Sequence, residues 1–174
     1  MFDRLFRKRP ARTAGQALYA AVVERARAPT LYEALGAPDT VEGRFELYSL
    51  HVVLILDRLR GQGEQAAEIS QTLFDTYVKA LDDALREMGV GDLSVGKKMR
   101  KLGEAFFGRA KSYEQAIASL PDQTELEALL ARTVYADTEV APGPLAAYVV
   151  AQRGALSAEP LDRLLAGQVS WGPM

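Results

Sequence analysis

The fold class is decided by the stretch FELYSLHVVLILDRL, residues 45–59. Its apolar residues recur at helical spacing and fall into two adjacent stripes. The stripes are Phe45, Tyr48, Val52, Ile55 and Leu59, and Leu47, Leu50 and Leu54. Because apolar side chains surround nearly the whole helix, the pattern predicts a helix over about 40–60 that is buried on most sides. We expect this helix to be the central element of a helical bundle.

The prolines mark the limits of the neighbouring helices, since proline breaks helix interiors. None lies between Pro38 and Pro121, so long helices are permitted in this region. Apolar periodicity and stop signals predict helices over about 14–28, 40–60, 64–88, 94–119, 122–135 and 142–153, a short turn at 31–35, and a last short helix capped by Ser157 with Pro160 in its first turn. No segment shows the alternation and hairpin turns of strands. We therefore predict an all-α fold, a single irregular bundle of about six to eight helices.

The predicted chain organisation has three parts: a basic, flexible segment at 1–13, a helical domain at 14–167 and a loose tail at 168–174. Apolar residues are mixed with basic ones at the start of the chain, which favours an interfacial membrane anchor. Its residues would be Phe2, Arg4, Leu5, Phe6, Arg7, Lys8 and Arg9. The alternative is a frayed terminus.

No apolar run approaches the roughly 20 residues of a membrane span, and no secretory signal is evident, so we expect a cytoplasmic chain with peripheral contact at the inner face of the cytoplasmic membrane.

The formal net charge of −2 hides a strong asymmetry. Residues 1–12 and 97–111 together hold 11 of the 21 basic residues and only two acidic ones, Asp3 and Glu104. The remaining 147 residues carry 10 basic and 21 acidic residues. An acidic body with two concentrated basic segments indicates contact with a polyanion, for which ribosomal RNA and an anionic lipid surface are the candidates.

The second basic segment lies on a predicted helix, over an apolar stripe. We predict that it forms a basic face for phosphate backbone or lipid headgroups. Its residues are Lys97, Lys98, Arg100, Lys101, Arg109 and Lys111. The alternative is an ordinary solvated helix face.

Enzyme and metal chemistry find little support. The chain has no cysteine and one histidine, which excludes disulfides, thiolate metal sites and most catalytic triads. We interpret His51, within the most apolar helix, as a core or interface residue. The carboxylate pairs Glu42/Glu46 and Glu64/Glu68 lack the Glu-x-x-His motif of di-iron bundles. The spacing from Gly91 to Lys97 matches a Walker A motif, but Lys98 replaces the hydroxyl residue. We predict no catalytic residues, no cofactor and no metal.

Four stretches together resemble a known family: residues 38–47 (PDTVEGRFEL), Leu50–His51, residues 89–99 (GVGDLSVGKKM) and residues 105–111 (AFFGRAK). The pattern is similar to the ubiquinol–cytochrome c chaperone family, the bacterial relatives of a mitochondrial assembly factor for the cytochrome bc1 complex. The resemblance covers about residues 30–150, and its specific part is the GVGDLSVGKKM block.

The resemblance implies an all-helical protein that is not an enzyme and that assists assembly of respiratory complex III. Its partners would be newly made cytochrome b or another complex III subunit, with the ribosome, an anionic membrane surface and a small partner protein as further candidates, and no DNA. The candidate client surface would comprise Arg44, Phe45, Tyr48, Phe106 and Phe107. Haem ligation by His51 and Met99 is disfavoured because both lie on predicted core stripes. The alternative function is a helical module that binds the ribosome, RNA or a membrane surface and has no dedicated client.

Overall fold

The computed structural model describes the backbone of residues 2–174 and the side chains of residues 10–174. In this part of the chain the all-α prediction is confirmed, with eight helices and no strand. The helices are α1 (Phe2–Ala26), α2 (Pro29–Glu33), α3 (Val41–Leu59), α4 (Glu64–Glu87), α5 (Asp92–Ala118), α6 (Thr124–Arg132), α7 (Gly143–Ala158) and α8 (Leu161–Leu165). The predicted anchor residues Phe2, Arg4, Leu5, Phe6, Arg7, Lys8 and Arg9 lie outside the residues whose side chains are described.

The central helix of the bundle is α3, as predicted. It is flanked by α1, α4, α5 and α7, and its residues from Ser49 to Ile55 are all buried. Thr40 caps its N-terminus by accepting a hydrogen bond from the Gly43 amide at 3.0 Å, while Asp39 pairs with Arg44 instead. A side chain is excluded at Gly43, where a Cβ would lie 2.1 Å from the Pro38 carbonyl oxygen. The chain therefore turns sharply into α3 and places its first turn at the surface.

The first helix begins earlier than predicted. The sequence indicates a start at residue 14, but α1 runs from Phe2 through Pro10 to Ala26. Ala11 and Ala14 are buried, and Gly15 approaches α4 so closely that a Cβ would lie 2.6 Å from the Thr72 Cβ. Packing of small residues against α4 therefore continues the helix past the proline, which by itself suggested a boundary.

The C-terminal helices also differ from the prediction. Ser157 does not cap the last helix, because α7 continues through it to Ala158. The Arg58 guanidinium donates to the carbonyls of Leu156 at 2.8 Å and Glu159 at 3.0 Å, which satisfies acceptors at the end of α7. Pro160 then takes the N-cap position of α8.

Residues 168–174, predicted as a loose tail, have no regular secondary structure but are held on the bundle. The indole of Trp171 donates to the Ala21 carbonyl at 3.3 Å. Arg25 donates to the Gly172 carbonyl at 2.7 Å, and the Gln152 amide donates to the Pro173 carbonyl at 2.7 Å. The tail therefore joins α1 to α7.

Candidate functional site

An open apolar groove of about 530 Å³ lies where the start of α3 runs beside the end of α4. We call it the apolar groove. Its apolar walls are formed by Tyr19 and Val23 of α1, Val41, Phe45 and Tyr48 of α3, Tyr77, Ala80, Leu81, Ala84 and Leu85 of α4, Met88 directly after α4, and Leu102 of α5. Charged residues stand at its rim: Arg27, Arg44, Asp83 and Glu87. Because the interior is apolar and the rim is polar, the groove suits an amphipathic or apolar segment of another chain.

The helical periodicity of α3 builds one wall of the groove. Val41, Phe45 and Tyr48 are spaced four and three residues apart and line the same cavity. The stripe of α4 that packs deeper in the bundle ends at Met88, which is 52% exposed, opposite Val41, which is 58% exposed. Val41 and Met88 therefore continue the apolar stripes of α3 and α4 to positions that are exposed to solvent.

Two tyrosine hydroxyls stand among the apolar walls of the groove. The Tyr48 hydroxyl accepts a hydrogen bond from the Arg27 Nε at 2.6 Å. Burial, together with the neighbouring Tyr48, raises the pKa of Tyr19 to about 12. Tyr19 is therefore uncharged at neutral pH, which favours contact of this wall with apolar groups.

The structure separates the five residues predicted for the client surface. Arg44, Phe45 and Tyr48 line the apolar groove. Phe106 does not lie on any surface: it is 2% exposed and packs on Phe74 at a ring-centroid distance of 5.2 Å. Its place in the apolar stripe of α5 accounts for this burial.

Phe107 lies on the surface, 62% exposed, and is not among the residues that line the groove. The α4 wall and Met88 were not predicted as functional, because their spacing reads as an ordinary core stripe. The sequence signal that could have identified them is that the apolar stripe continues to Met88, at the very end of α4, where less of the helix is covered by neighbours.

The predicted basic face divides into two parts. Lys97, Lys98, Arg100, Lys101 and Lys111 are exposed, and no salt bridge between described residues involves them. We call these five the α5 cations.

Arg109 links α5 to α3 through an ion pair with Glu46. Its guanidinium donates to both carboxylate oxygens of Glu46, with Nε–Oε2 at 2.9 Å and Nη2–Oε1 at 2.8 Å. The hydrogen bonds to Glu46, which is buried, raise the pKa of Arg109. A bidentate pair of this kind fixes the geometry of two helices, so Arg109 belongs to the structural core of the bundle and not to the exposed basic face.

His51 stands in a buried chain of hydrogen bonds near the middle of α3. Its Nδ1 lies 2.7 Å from the Leu47 carbonyl oxygen, which only accepts, so Nδ1 carries the hydrogen. Nε2 therefore accepts from the Tyr148 hydroxyl at 2.7 Å, and the oxygen of Tyr148 accepts from the Arg25 Nε at 2.8 Å. Burial lowers the pKa of His51 to about 4. Both ring nitrogens are engaged within the chain, in agreement with the interpretation of His51 as a core residue. We call this set the His51 relay.

The other motifs weighed in the sequence do not form binding sites among the described residues. Among the described residues, no group of three or more His, Asp or Glu side chains is placed to hold a metal ion. The Walker-like stretch after Gly91 is the first turn of α5 and not a phosphate loop. In the same part of the chain, every helix is too short or too polar to cross a membrane.

The chain is similar to known proteins in both sequence and structure. The model of the ubiquinol-cytochrome C chaperone family matches residues 33–171. The chain is 26% identical over 161 residues to the ubiquinol-cytochrome-c reductase complex assembly factor 1 of Xenopus laevis, covering 90% of this chain and 80% of the relative. The crystal structure of the Cbp3 homolog from Brucella abortus matches with a TM-score of 0.86 and 34% identity, over 99% of this chain and 97% of the other. The matched range includes the groove residues of α3, α4 and α5, and the α5 cations.

Proposed function

The chain belongs to the ubiquinol-cytochrome c chaperone family, and from this we infer that it acts as an assembly chaperone for respiratory complex III. The Xenopus relative is named as an assembly factor of the same complex. A chaperone of this class acts by binding, which agrees with the resemblance noted from the sequence.

The apolar groove is the observation that carries the proposal. Complex III contains helical membrane subunits, and an apolar helix that is not yet assembled needs shielding from water. A preformed groove with apolar walls and a charged rim binds such a helix by its exposed apolar face. We place cytochrome b, or an assembly intermediate that contains it, in this groove, and we place the encounter at the inner face of the cytoplasmic membrane. The ribosome and a small partner protein stay predictions from the family resemblance.

The groove can be tested by introducing charge at its two exposed apolar residues. The Val41→Glu, Met88→Lys double variant places two charges against a bound segment, while both positions are already half exposed in the free protein. Val140→Glu is the matched control, since Val140 is an exposed apolar residue that does not line the groove.

Tagged proteins would be expressed in a strain that lacks the chromosomal copy and purified in mild detergent. We expect cytochrome b to co-purify with the unchanged protein and with Val140→Glu, and to be reduced at least tenfold with the double variant, together with the amount of assembled complex III. Undiminished capture by a folded double variant would overturn the groove as the client site. Normal complex III levels in the strain without any copy would overturn the proposed function itself.

A further inference from the structure

We propose that the outer face of α5 is a binding surface for anionic membrane lipid. The surface consists of the α5 cations together with Leu93 and Phe107, and it shares no residue with the apolar groove. The proposal concerns the free protein and a lipid bilayer, so it is tested without any client.

The sequence of α5 sets these residues on one side of the helix, except Lys98, which is displaced toward the flank. Leu93, Lys97, Arg100, Lys101, Glu104, Phe107 and Lys111 recur at intervals that keep them opposite the buried residues Val95, Phe106, Tyr113 and Ile117. From residue 93 to residue 111 the helix rises about 27 Å. The cations of the outer face run from Lys97 to Lys111, about half the length of α5, and Glu104 is the one acidic residue among them.

The charge of this surface is not neutralised by neighbouring side chains. Several cations elsewhere on the bundle are paired: Arg44 with Asp39, Lys79 with Asp83, and Arg86 with both Asp82 and Asp92. The last pair matters here, because it occupies Asp92 at the start of α5. The α5 cations stand on a chain that is otherwise acidic, so the field of the whole molecule turns this face toward a polyanion.

Two exposed apolar side chains favour lipid over RNA as that polyanion. Leu93 is fully exposed in the first turn of α5, and Phe107 is 62% exposed at the edge of the cations, with its ring in contact with Phe74 and Phe106. A leucine offers an RNA strand neither a hydrogen bond nor an aromatic face for stacking, whereas leucine and phenylalanine inserted at the headgroup boundary bury apolar area. Four of the five α5 cations are lysines, whose long stems lie along an apolar surface while the ammonium reaches the headgroups.

Vesicle sedimentation with the purified full chain tests the surface. The vesicles contain phosphatidylcholine alone or phosphatidylcholine with about one third phosphatidylglycerol, and 70S ribosomes are sedimented in a parallel arm. The variant Lys97→Glu, Lys101→Glu is compared with Lys79→Glu, Arg132→Glu, which changes the net charge by the same amount on other helices. All variants keep residues 1–12, so any binding by the basic N-terminal segment is common to them.

We expect binding to the anionic vesicles only, and a loss of at least about 25-fold for the α5 pair, because each cation near an anionic surface contributes about fivefold to partitioning. The control pair should bind within about threefold of the unchanged protein. Leu93→Asp should weaken vesicle binding at low salt as well. Equal binding by the two charge variants, or binding to ribosomes but not to vesicles, would overturn the proposal.

Discussion

The two ends of α3 carry similar apolar patterns and yet have opposite surroundings. Its second half, residues 49–59, is enclosed by α7 and by the C-terminal tail, and His51 there is held in the His51 relay. Its first half, residues 41–48, is packed on one side and open to the apolar groove on the other. The difference shows that the apolar pattern of a helix indicates how much of its surface is stabilised by burial. Whether that surface is buried by the same chain or left open to a partner depends on the other helices.

The largest contrast should appear when a branched apolar side chain is truncated to alanine at each end. Ile55→Ala removes three methyl or methylene carbons from a fully buried site, and we expect a loss of about 3 kcal/mol or more in the free energy of unfolding. Val41→Ala in the open end should change it by less than about 0.5 kcal/mol. Urea unfolding followed by circular dichroism measures both. Similar losses at the two positions would mean that the groove is closed in solution.

The enclosed end should also respond to pH through His51. The folded-state pKa of about 4 lies below the usual 6.5, so the unfolded chain takes up a proton first. Stability from this group is therefore complete above pH 6.5 and is lost as the pH falls toward 4, by about 3 kcal/mol in total. Unfolding in urea at pH 7, 6 and 5 gives the slope.

The His51→Gln variant isolates this contribution from that of the carboxylates. Its free energy of unfolding at pH 7 is expected to be lower, but the decline between pH 6.5 and 4 should be smaller than in the unchanged protein. A decline of the same size in both proteins would show that His51 is not the titrating group.

A smaller effect is expected at the tail that closes this end. Trp171→Ala removes the edge-on ring contact with His51 at 5.3 Å and the hydrogen bond to the Ala21 carbonyl, and we expect a loss of about 2 kcal/mol in the free energy of unfolding. Met174→Ala, at an exposed position, is the control and should be neutral. If Trp171→Ala were equally neutral, the tail would be loose after all, as the sequence alone predicts.

The sequence predicted what depends on local periodicity. The α3 and α4 stripes, the Thr40 cap as one of two alternatives, and the extent of α5 within about two residues all follow from spacing, capping residues and glycines. Arg44, Phe45 and Tyr48 were also assigned to the client surface, and they do line the groove.

What the sequence did not reveal depends on contacts between distant residues. The sequence predicts Arg109 on the exposed basic face because it belongs to the basic segment 97–111, while its partner Glu46 lies 63 residues away. The sequence predicts a loose tail, while Arg25 and Gln152, which are distant in sequence, supply its hydrogen bonds. The open half of α3 could not be told from the closed half, because each has the spacing of a core stripe.

The position of Trp171 gives the protein an internal optical probe. It is the only tryptophan in the chain, and its indole stands edge-on to the imidazole of His51 within the closed end of α3. Its emission should shift to longer wavelength whenever residues 169–173 leave the bundle and the ring meets water, and an imidazolium beside it should quench it. Fluorescence at a single excitation wavelength therefore follows the closure of one end of α3 without any label, while a client or a vesicle is added at the groove or at α5.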